Sequence, residues 1–173
     1  MLPGMRESLQ AMTVGEQRRV WISEALAFAG AKGRPAGTVV MDLELLEVVP
    51  DPRHPPADVA APPEDATLLR SGLAFKVLKP GTGKTHPARS SWVSIHYTGW
   101  TTDGKMFESS LTKGNPVQLQ VKDTVEGWIE GLQLMVVGER RRFWIPEKLA
   151  YQGARDMPQG MLVFEVELVG ISQ

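Results

Sequence analysis

The first part of this chain repeats its last part. Residues 4–48 align with residues 127–171 at a constant offset of 123 without a gap, and roughly half of the aligned positions are identical. A period of this length indicates a duplicated domain, because solenoid repeats have periods of about 20–50 residues. Nothing among the first fifty residues corresponds to residues 67–123, so a site that needs both halves of the repeated unit can form only once.

The length and composition agree with one domain of ordinary size and a fragment of a second. The 173 residues carry a formal charge of -1, and the basic residues form no run, so we expect no nucleic acid partner. No stretch of 18 apolar residues is present, so we expect no membrane span. The chain has no cysteine, which rules out disulfides, thiolate metal ligands and a cysteine nucleophile.

The amino-terminal residues do not resemble an export signal. Arg6 and Glu7 stand where a signal peptide has its apolar centre. On this basis we expect a cytoplasmic protein.

A proline-rich stretch separates the two similar segments. Six of the 13 prolines lie between residues 50 and 63, in the sequence PDPRHPPADVAAPP. Such a segment favours extended polyproline II and cannot supply a helix or a central strand. We therefore predict a fragment over residues 1–50, a semi-rigid linker over residues 51–66 and a complete domain over residues 67–173.

Three stretches of the complete domain alternate apolar and polar residues, as half-buried strands do. They are residues 92–98, 140–145 and 162–168. An Asp103-Gly104 turn follows the first of them, so the chain should fold back beside it. In the second stretch, Phe143 points inward and Trp144 outward.

A short helix is predicted between these strands. Trp128, Leu132 and Met135 recur at spacings of four and three, so they share one apolar face. Asp123 and Thr124 are of the residue types that cap a helix, and Gly138 would end it. The predicted fold class is α+β, with an antiparallel twisted sheet wrapped on a short α-helix.

Several motifs that suggest other chemistry fail on spacing. The run Gly83-Lys84-Thr85 lacks the earlier glycine of a phosphate-binding loop, because position 78 is Leu. The three histidines are too far apart for a local metal motif. Residues 140–142 are all arginine, and we expect them to keep a strand surface soluble. We therefore predict neither a metal nor a cofactor.

Five aromatic residues lie beside turns and element ends: Tyr97, Phe107, Trp128, Tyr151 and Phe164. Core packing is the ordinary explanation for such residues. The motifs around them, however, are VSIHYTGWTTDGKMFESS, VEGWIEGLQLMVVGERRRFWIPEKLAYQGA and LVFEVEL. Together they resemble an FKBP-type peptidyl-prolyl cis-trans isomerase domain over residues 67–173. Residues 1–48 resemble the rear half of the same domain.

The resemblance implies a role for each aromatic residue. Trp128 would be the floor of a shallow apolar pocket, and Tyr97, Phe107 and Phe164 would be its walls. Tyr151 would offer its hydroxyl to a substrate carbonyl at the rim.

The resemblance also implies a set of substrate-binding positions around the pocket. The Val125 amide would hold the bound carbonyl, with Thr124 beside it. Two positions depart from the family pattern, because Glu108 replaces an aspartate and Val117 replaces a common phenylalanine. The loop over residues 152–159 is also short and has one proline.

Two functions are compatible with these residues. The first is a prolyl isomerase that acts on X-Pro bonds of flexible polypeptide clients. The alternative is a chaperone-like module that binds proline-containing segments without turning them over.

The fragment at the start of the chain should need a partner. About 45 residues with one helix and two strands bury too little apolar surface to be stable alone. We therefore expect residues 1–50 either to self-associate with another copy of the chain or to stay loosely ordered. We also expect no isomerase activity there, because Met5, Phe28 and Met41 stand where Trp128, Tyr151 and Phe164 stand in the second copy.

Overall fold

The computed structural model describes residues 1–48 and 51–172. The chain divides into two compact units, Met1–Pro50 and Asp51–Gln173. In the described part, no helix has the length and apolar character needed to cross a membrane.

The first unit consists of a helix and a two-stranded antiparallel sheet. Its elements are α1 (Pro3–Gln10), β1 (Gln17–Ile22) and β2 (Val39–Glu44). Pro3 suits the start of α1, because the first N–H groups of a helix have no intrahelical acceptor. Its small apolar core is formed by Met12, Val20, Ile22, Ala27 and Leu43.

The second unit is an antiparallel sheet with one short helix. Its elements are β3 (Thr67–Leu68), β4 (Ala74–Lys79), β5 (Trp92–Thr101), β6 (Met106–Ser109), β7 (Val117–Gln120), α2 (Glu126–Leu132), β8 (Arg140–Ile145) and β9 (Leu162–Ser172). The strand order is β3-β4-β8-β9-β5-β6, and β7 also pairs with β5. The predicted fold class is confirmed, and β9 lies between β8 and β5.

Helix α2 packs directly on β8 because glycines face the sheet. A Cβ on Gly127 would lie 2.4 Å from Ile145 Cγ2, and a Cβ on Gly131 would lie 2.7 Å from Phe143 Cε1. Both distances are shorter than any ordinary contact. The close approach buries Ile129 and Leu132 among the inward side chains of β8 and β9.

The outward face of this sheet is also covered. Val59 and Ala66 pack against Ala74, Trp144 and Val163, so that Trp144 is fully buried although it points away from the helix. The indole N–H of Trp144 donates to the Asp58 carbonyl at 3.0 Å. Residues 51–66, expected as an extended linker, instead form a series of turns that lies against the second unit and is grouped with it.

Two local predictions for the helix are wrong. The N-cap residue is Val125, without a side-chain cap, and the Thr124 hydroxyl instead donates back to the Val121 carbonyl at 2.8 Å. The helix ends at Leu132, well before Gly138. Gly138 has a φ of 85° and forms the turn into β8, which is why a glycine is needed there.

The prediction for the arginine run is wrong at its middle position. Arg141 is buried, and its Nε donates to the Glu139 carboxylate at 2.7 Å. Its guanidinium also lies over the ring of Phe75, 4.6 Å from the centroid. The side chain therefore belongs to the interior of the unit.

Candidate active site

A cavity of about 200 Å³ opens on the second unit. Its walls are supplied by strands β5, β6 and β9, by helix α2, by the residues just before α2 and by the chain that follows β8. The lining residues are Tyr97, Glu108, Asp123, Thr124, Val125, Trp128, Tyr151 and Phe164.

Three of these lining side chains form a chain of edge-to-face aromatic contacts. The ring centroid of Trp128 lies 5.1 Å from that of Tyr97 and 5.2 Å from that of Phe164, with interplanar angles of 82° and 79°. Such contacts direct the positive edge of one ring at the negative face of another. The rings therefore hold each other in fixed orientations around an apolar space.

Phe107 packs against Phe164 without lining the cavity itself. Its ring meets Phe164 edge to face at a centroid distance of 5.5 Å. Gly99 on β5 makes room for both rings, since a Cβ there would lie 2.6 Å from Phe107 Cζ and 2.7 Å from Phe164 Cε1. A larger residue at position 99 would displace the pocket wall.

The ionisable side chains that line the cavity are those of two tyrosines and two acidic residues. Burial, and then a hydrogen bond with the Glu108 carboxylate, raise the pKa of Tyr97 above its ordinary value. Burial, and then the charge of Glu108, raise the pKa of Tyr151. Both hydroxyls therefore remain protonated donors well into the alkaline range.

The amino-terminal end of α2 faces the cavity. The Val125 carbonyl accepts hydrogen bonds from the N–H groups of Trp128 and Ile129, at 2.9 and 3.0 Å. The first N–H groups of a helix have no intrahelical acceptor, so the Val125 amide is a main-chain donor at the lining of the cavity.

The structure brings together seven of the nine predicted site residues. Phe107 and Val117 are not among the residues that line the cavity. Phe107 supports Phe164, whereas Val117 pairs with Ile95 on the far part of β5. Asp123 lines the cavity and was not predicted as a site residue. Its place directly before Thr124 was the available signal.

The histidines do not take part in this cavity. His96 lies on β5, and its Nδ1 is 3.2 Å from the Ser110 hydroxyl. Within residues 1–48 and 51–172, no group of three or more His, Asp or Glu side chains is arranged to hold a metal ion.

Sequence comparison identifies the family. The profile of the FKBP-type peptidyl-prolyl cis-trans isomerase family matches residues 83–169, which is half of the chain. The chain belongs to this family. Its FKBP-type domain includes every residue that lines the cavity.

Individual relatives agree with this assignment. The chain is 44% identical over 112 residues to the FKBP-type 22 kDa peptidyl-prolyl cis-trans isomerase of Escherichia coli K12, covering 62% of this chain and 54% of that protein. It is 37% identical over 111 residues to FK506-binding protein 1 of Candida glabrata, covering 60% of this chain and 96% of that protein. The chain thus spans about half the length of the bacterial relatives it matches.

Solved structures show the same FKBP-type fold. The crystal structure of FkpA from Escherichia coli matches with a TM-score of 0.60 and 33% identity, over 64% of this chain and 53% of that chain. The crystal structure of AtFKBP13 matches with a TM-score of 0.56 and 28% identity, over 62% of this chain and 99% of that chain.

Proposed function

We propose that the second unit accelerates cis-trans rotation about X-Pro peptide bonds in unfolded or flexible polypeptides. The observation that carries the proposal is the cavity of about 200 Å³ in which Tyr97, Trp128 and Phe164 hold each other edge to face. Such a cavity can take a proline ring and its preceding carbonyl out of water.

Desolvation is sufficient to explain how this cavity lowers the rotation barrier. Partial double-bond character gives the peptide bond a barrier of about 18–20 kcal/mol, and the two X-Pro isomers differ by only about 1 kcal/mol. The twisted transition state has lost amide resonance, so its carbonyl is less polar and loses less hydration on burial. A pocket that stabilised the twisted state by about 5 kcal/mol relative to the planar state would speed rotation roughly 10³- to 10⁴-fold.

Each lining group has a part in this proposal. Trp128 forms the apolar floor under the proline ring, and Tyr97 and Phe164 form the walls. The Tyr151 hydroxyl and the Val125 amide donate hydrogen bonds to the substrate carbonyls and fix the bound segment. The reaction makes and breaks no covalent bond, so it requires no nucleophile.

The alternative is a module that binds proline-containing segments without catalysis. Glu108 favours this reading, because its charge and its hydrogen bond with Tyr97 place a carboxylate at the cavity lining. A charged wall weakens the desolvation on which catalysis would depend.

A protease-coupled assay of a proline-containing tetrapeptide separates the two functions. We expect the full chain to increase the rate of cis-to-trans conversion above the uncatalysed rate, in proportion to protein concentration. Saturable peptide binding together with the uncatalysed rate would support the binding module instead. A chelator should not change the rate.

Replacing Tyr151 by phenylalanine tests the hydroxyl at the rim. We expect kcat/KM to fall about fivefold, because the change removes one net hydrogen bond of about 1 kcal/mol. The matched control is Tyr97→Phe, which removes the chain's other tyrosine hydroxyl and its hydrogen bond with Glu108. An unchanged rate in Tyr151→Phe would mean that this hydroxyl does not bind the substrate carbonyl.

The rate should be nearly independent of pH between about 6 and 9. A tyrosine hydroxyl ordinarily has a pKa of 10.0, and the pKa values of Tyr97 and Tyr151 are raised above it. Both hydroxyls thus stay protonated across this range, and their contribution falls only when the pH rises through the raised values. A bell-shaped profile in kcat/KM, or loss of activity in His96→Ala, would indicate proton transfer and contradict catalysis by desolvation.

We also infer that residues 1–48 are the rear part of a second copy of this domain. One hydrogen-bond network supports the inference. Glu16 accepts from the Thr13 N–H and from Arg18 Nε, and Arg18 Nη2 donates to the Ala11 carbonyl. At the offset of 123, the same three bonds join Glu139, Val136, Arg141 and Leu134.

Backbone geometry supports the same inference. The β1–β2 register runs from Gln17↔Glu44 to Ile22↔Val39, and the β8–β9 register has the same pairs shifted by 123. The close approach of Gly4 to Ile22 Cγ2, at 2.6 Å for a built Cβ, matches that of Gly127 to Ile145. Five positions with positive φ in residues 15–37 also have counterparts with positive φ in residues 138–160.

Self-association of the chain through the first unit is a further part of the proposal. Within the described residues, β2 pairs only with β1, whereas its counterpart β9 pairs with both β8 and β5. The free edge of β2 presents N–H and C=O groups to which a strand of another copy can add.

Sedimentation tests this association directly. We expect the full chain to show concentration-dependent association and a chain without residues 1–48 to sediment as a monomer. A full chain that is monomeric at all concentrations would contradict the proposal.

The first unit should have no isomerase activity of its own. Met5, Phe28 and Met41 occupy the positions of Trp128, Tyr151 and Phe164, and they pack against the small core of the first unit. These side chains supply neither the indole floor nor the hydroxyl donor.

A further inference from the structure

The outward face of the sheet is covered in the second unit and exposed to solvent in the first unit. In the second unit, Trp144 and Val163 are adjacent partners on β8 and β9, and both are fully buried. Their cover is the segment 51–66, whose Val59 and Ala66 pack on them. The outward face of β8 and β9 is therefore covered by a proline-rich segment of the same unit.

Polar contacts fix this segment in place. The Trp144 indole N–H donates to the Asp58 carbonyl at 3.0 Å. Nη1 of Arg142 donates to the Asp58 carboxylate, while its Nε and Nη2 donate to Glu165. Arg142 thus holds a carboxylate of its own sheet and a carboxylate of the covering segment at the same time.

The corresponding face of the first unit is bare. Trp21 and Val40, the counterparts of Trp144 and Val163, have 67% and 53% of their surface exposed. They are register partners on β1 and β2, as their counterparts are on β8 and β9. Trp21 and Val40 thus form a small exposed apolar patch where their counterparts are covered.

Arg19, the counterpart of Arg142 on this face, is bonded through two of its three guanidinium nitrogens. Nε and Nη2 of Arg19 donate to Asp42 at 2.6 and 2.9 Å, as Arg142 donates to Glu165. Nη1 of Arg19 has no acceptor within the described residues. This is the same nitrogen that binds the covering carboxylate in the second unit.

We propose that the outward face of the first unit, formed by Trp21, Val40 and Arg19, binds a proline-rich segment of another polypeptide that carries a carboxylate and folds into turns like those of residues 51–66. A main-chain carbonyl of that segment accepts from the Trp21 indole, and the carboxylate binds Arg19 Nη1. Residues 51–66 of the same copy do not serve, because their Asp58 is already bound to Arg142 and Trp144.

Proline suits this occupant because it favours the observed turns. In the covering segment, the Val59 N–H donates to the Pro56 carbonyl at 3.1 Å and the Ala66 N–H donates to the Pro63 carbonyl at 3.0 Å. Proline fixes φ at about −65°, so ordering such turns costs less conformational entropy than it does for a flexible chain. The proposal rests on the equivalence of the two units and not on isomerase activity.

The test uses the full chain and a fluorescent synthetic peptide with the sequence of residues 51–66, DPRHPPADVAAPPEDA. We expect saturable binding by fluorescence anisotropy. Trp21→Ala should weaken it at least about tenfold, and Arg19→Lys should weaken it severalfold, because lysine keeps the charge but lacks the guanidinium fork. A peptide with Asp58→Asn should bind more weakly to the unaltered chain and equally to Arg19→Ala.

The matched control is Trp92→Ala, which removes an exposed tryptophan of the second unit and should leave binding unchanged. Circular dichroism of Trp21→Ala checks that the exposed truncation leaves the fold intact. Turnover of a proline tetrapeptide should also be unchanged in Trp21→Ala, so a loss of peptide binding is separable from a loss of isomerase function.

Three outcomes would overturn the proposal. The first is no saturable binding of the peptide at millimolar concentration. The second is binding that persists in both Trp21→Ala and Arg19→Ala, which would mean that the peptide displaces residues 51–66 in the second unit. The third is dissociation of self-associated chains by Trp21→Ala without any effect on the peptide, which would make this face an interface between copies.

Discussion

Truncating Phe107 to alanine should lower kcat/KM for a proline tetrapeptide by about ten- to a thousand-fold, equivalent to roughly 1.4–4 kcal/mol. Phe107 does not line the cavity, but its ring packs edge to face on Phe164, which in turn packs on Trp128. Removing the ring opens space behind the wall, so Phe164 loses its fixed orientation and water can enter. Both effects reduce the preference of the pocket for the less polar, twisted amide.

The matched control for this variant is Phe75→Ala. Phe75 is also partly buried and also packs on a phenylalanine, Phe143, at a centroid distance of 6.4 Å, but it is not a lining residue of the cavity. We expect this change to lower the free energy of unfolding and to leave kcat/KM within about twofold, because it creates its cavity elsewhere in the core. Equal losses of kcat/KM in both variants would show that general destabilisation explains the effect.

Strands β5, β8 and β9 of the second unit could be predicted from local pattern. Leu162, Phe164, Val166 and Leu168 alternate along β9, and all of them are buried. Period-two alternation carries this information because successive side chains of a strand point to opposite faces. The α+β class followed from such strands and the one helical repeat around Trp128.

The burial of Trp144 could not be predicted from local sequence pattern. Its outward position was predicted correctly, but its full burial depends on residues 58–66, about eighty positions earlier in the chain. A proline-rich composition indicates an extended segment and does not indicate what that segment contacts. Only the three-dimensional arrangement supplies that contact.

Arg141 shows a second limit. A run of three arginines is ordinarily solvent-exposed, yet the middle one is buried, because Glu139 and the Leu134 carbonyl accept its donors. Glu139 and Arg141 are only two positions apart, so the sequence alone already indicated a possible ion pair. The burial of the pair follows from the turn at Gly138, which brings Glu139 and Arg141 against the residues that follow α2.

The aromatic site could not be assembled from spacing alone. Tyr97, Trp128 and Phe164 lie on three elements far apart in sequence, and the β5–β9 register brings two of them to the same end of the sheet. Their common role followed from the resemblance to the FKBP-type family, whose motifs surround each residue. Asp123 was missed because the sequence pattern had already assigned it a different role, that of a helix-capping residue.

Replacing Glu139 by alanine should lower the free energy of unfolding of the second unit by about 3–5 kcal/mol, which is typical when one partner of a buried ion pair is removed. The Glu139 side chain is 6% exposed and that of Arg141 is 11% exposed, so water cannot replace the carboxylate. The change leaves the guanidinium charge without its counterion and the Val136 N–H without its acceptor. Urea unfolding followed by tryptophan fluorescence measures the loss, since four of the five tryptophans lie in this unit.

The repeat supplies the matched control, because Glu16→Ala removes the same three-way contact from the first unit. There the side chains of Glu16 and Arg18 are 28% and 36% exposed, and solvent can take over the lost interactions. We therefore expect a much smaller effect from Glu16→Ala. Replacing Glu139 and Arg141 together by methionine should recover most of the lost stability, because no buried charge remains. If Glu139→Ala were no more damaging than Glu16→Ala, burial would not be the reason that this pair matters.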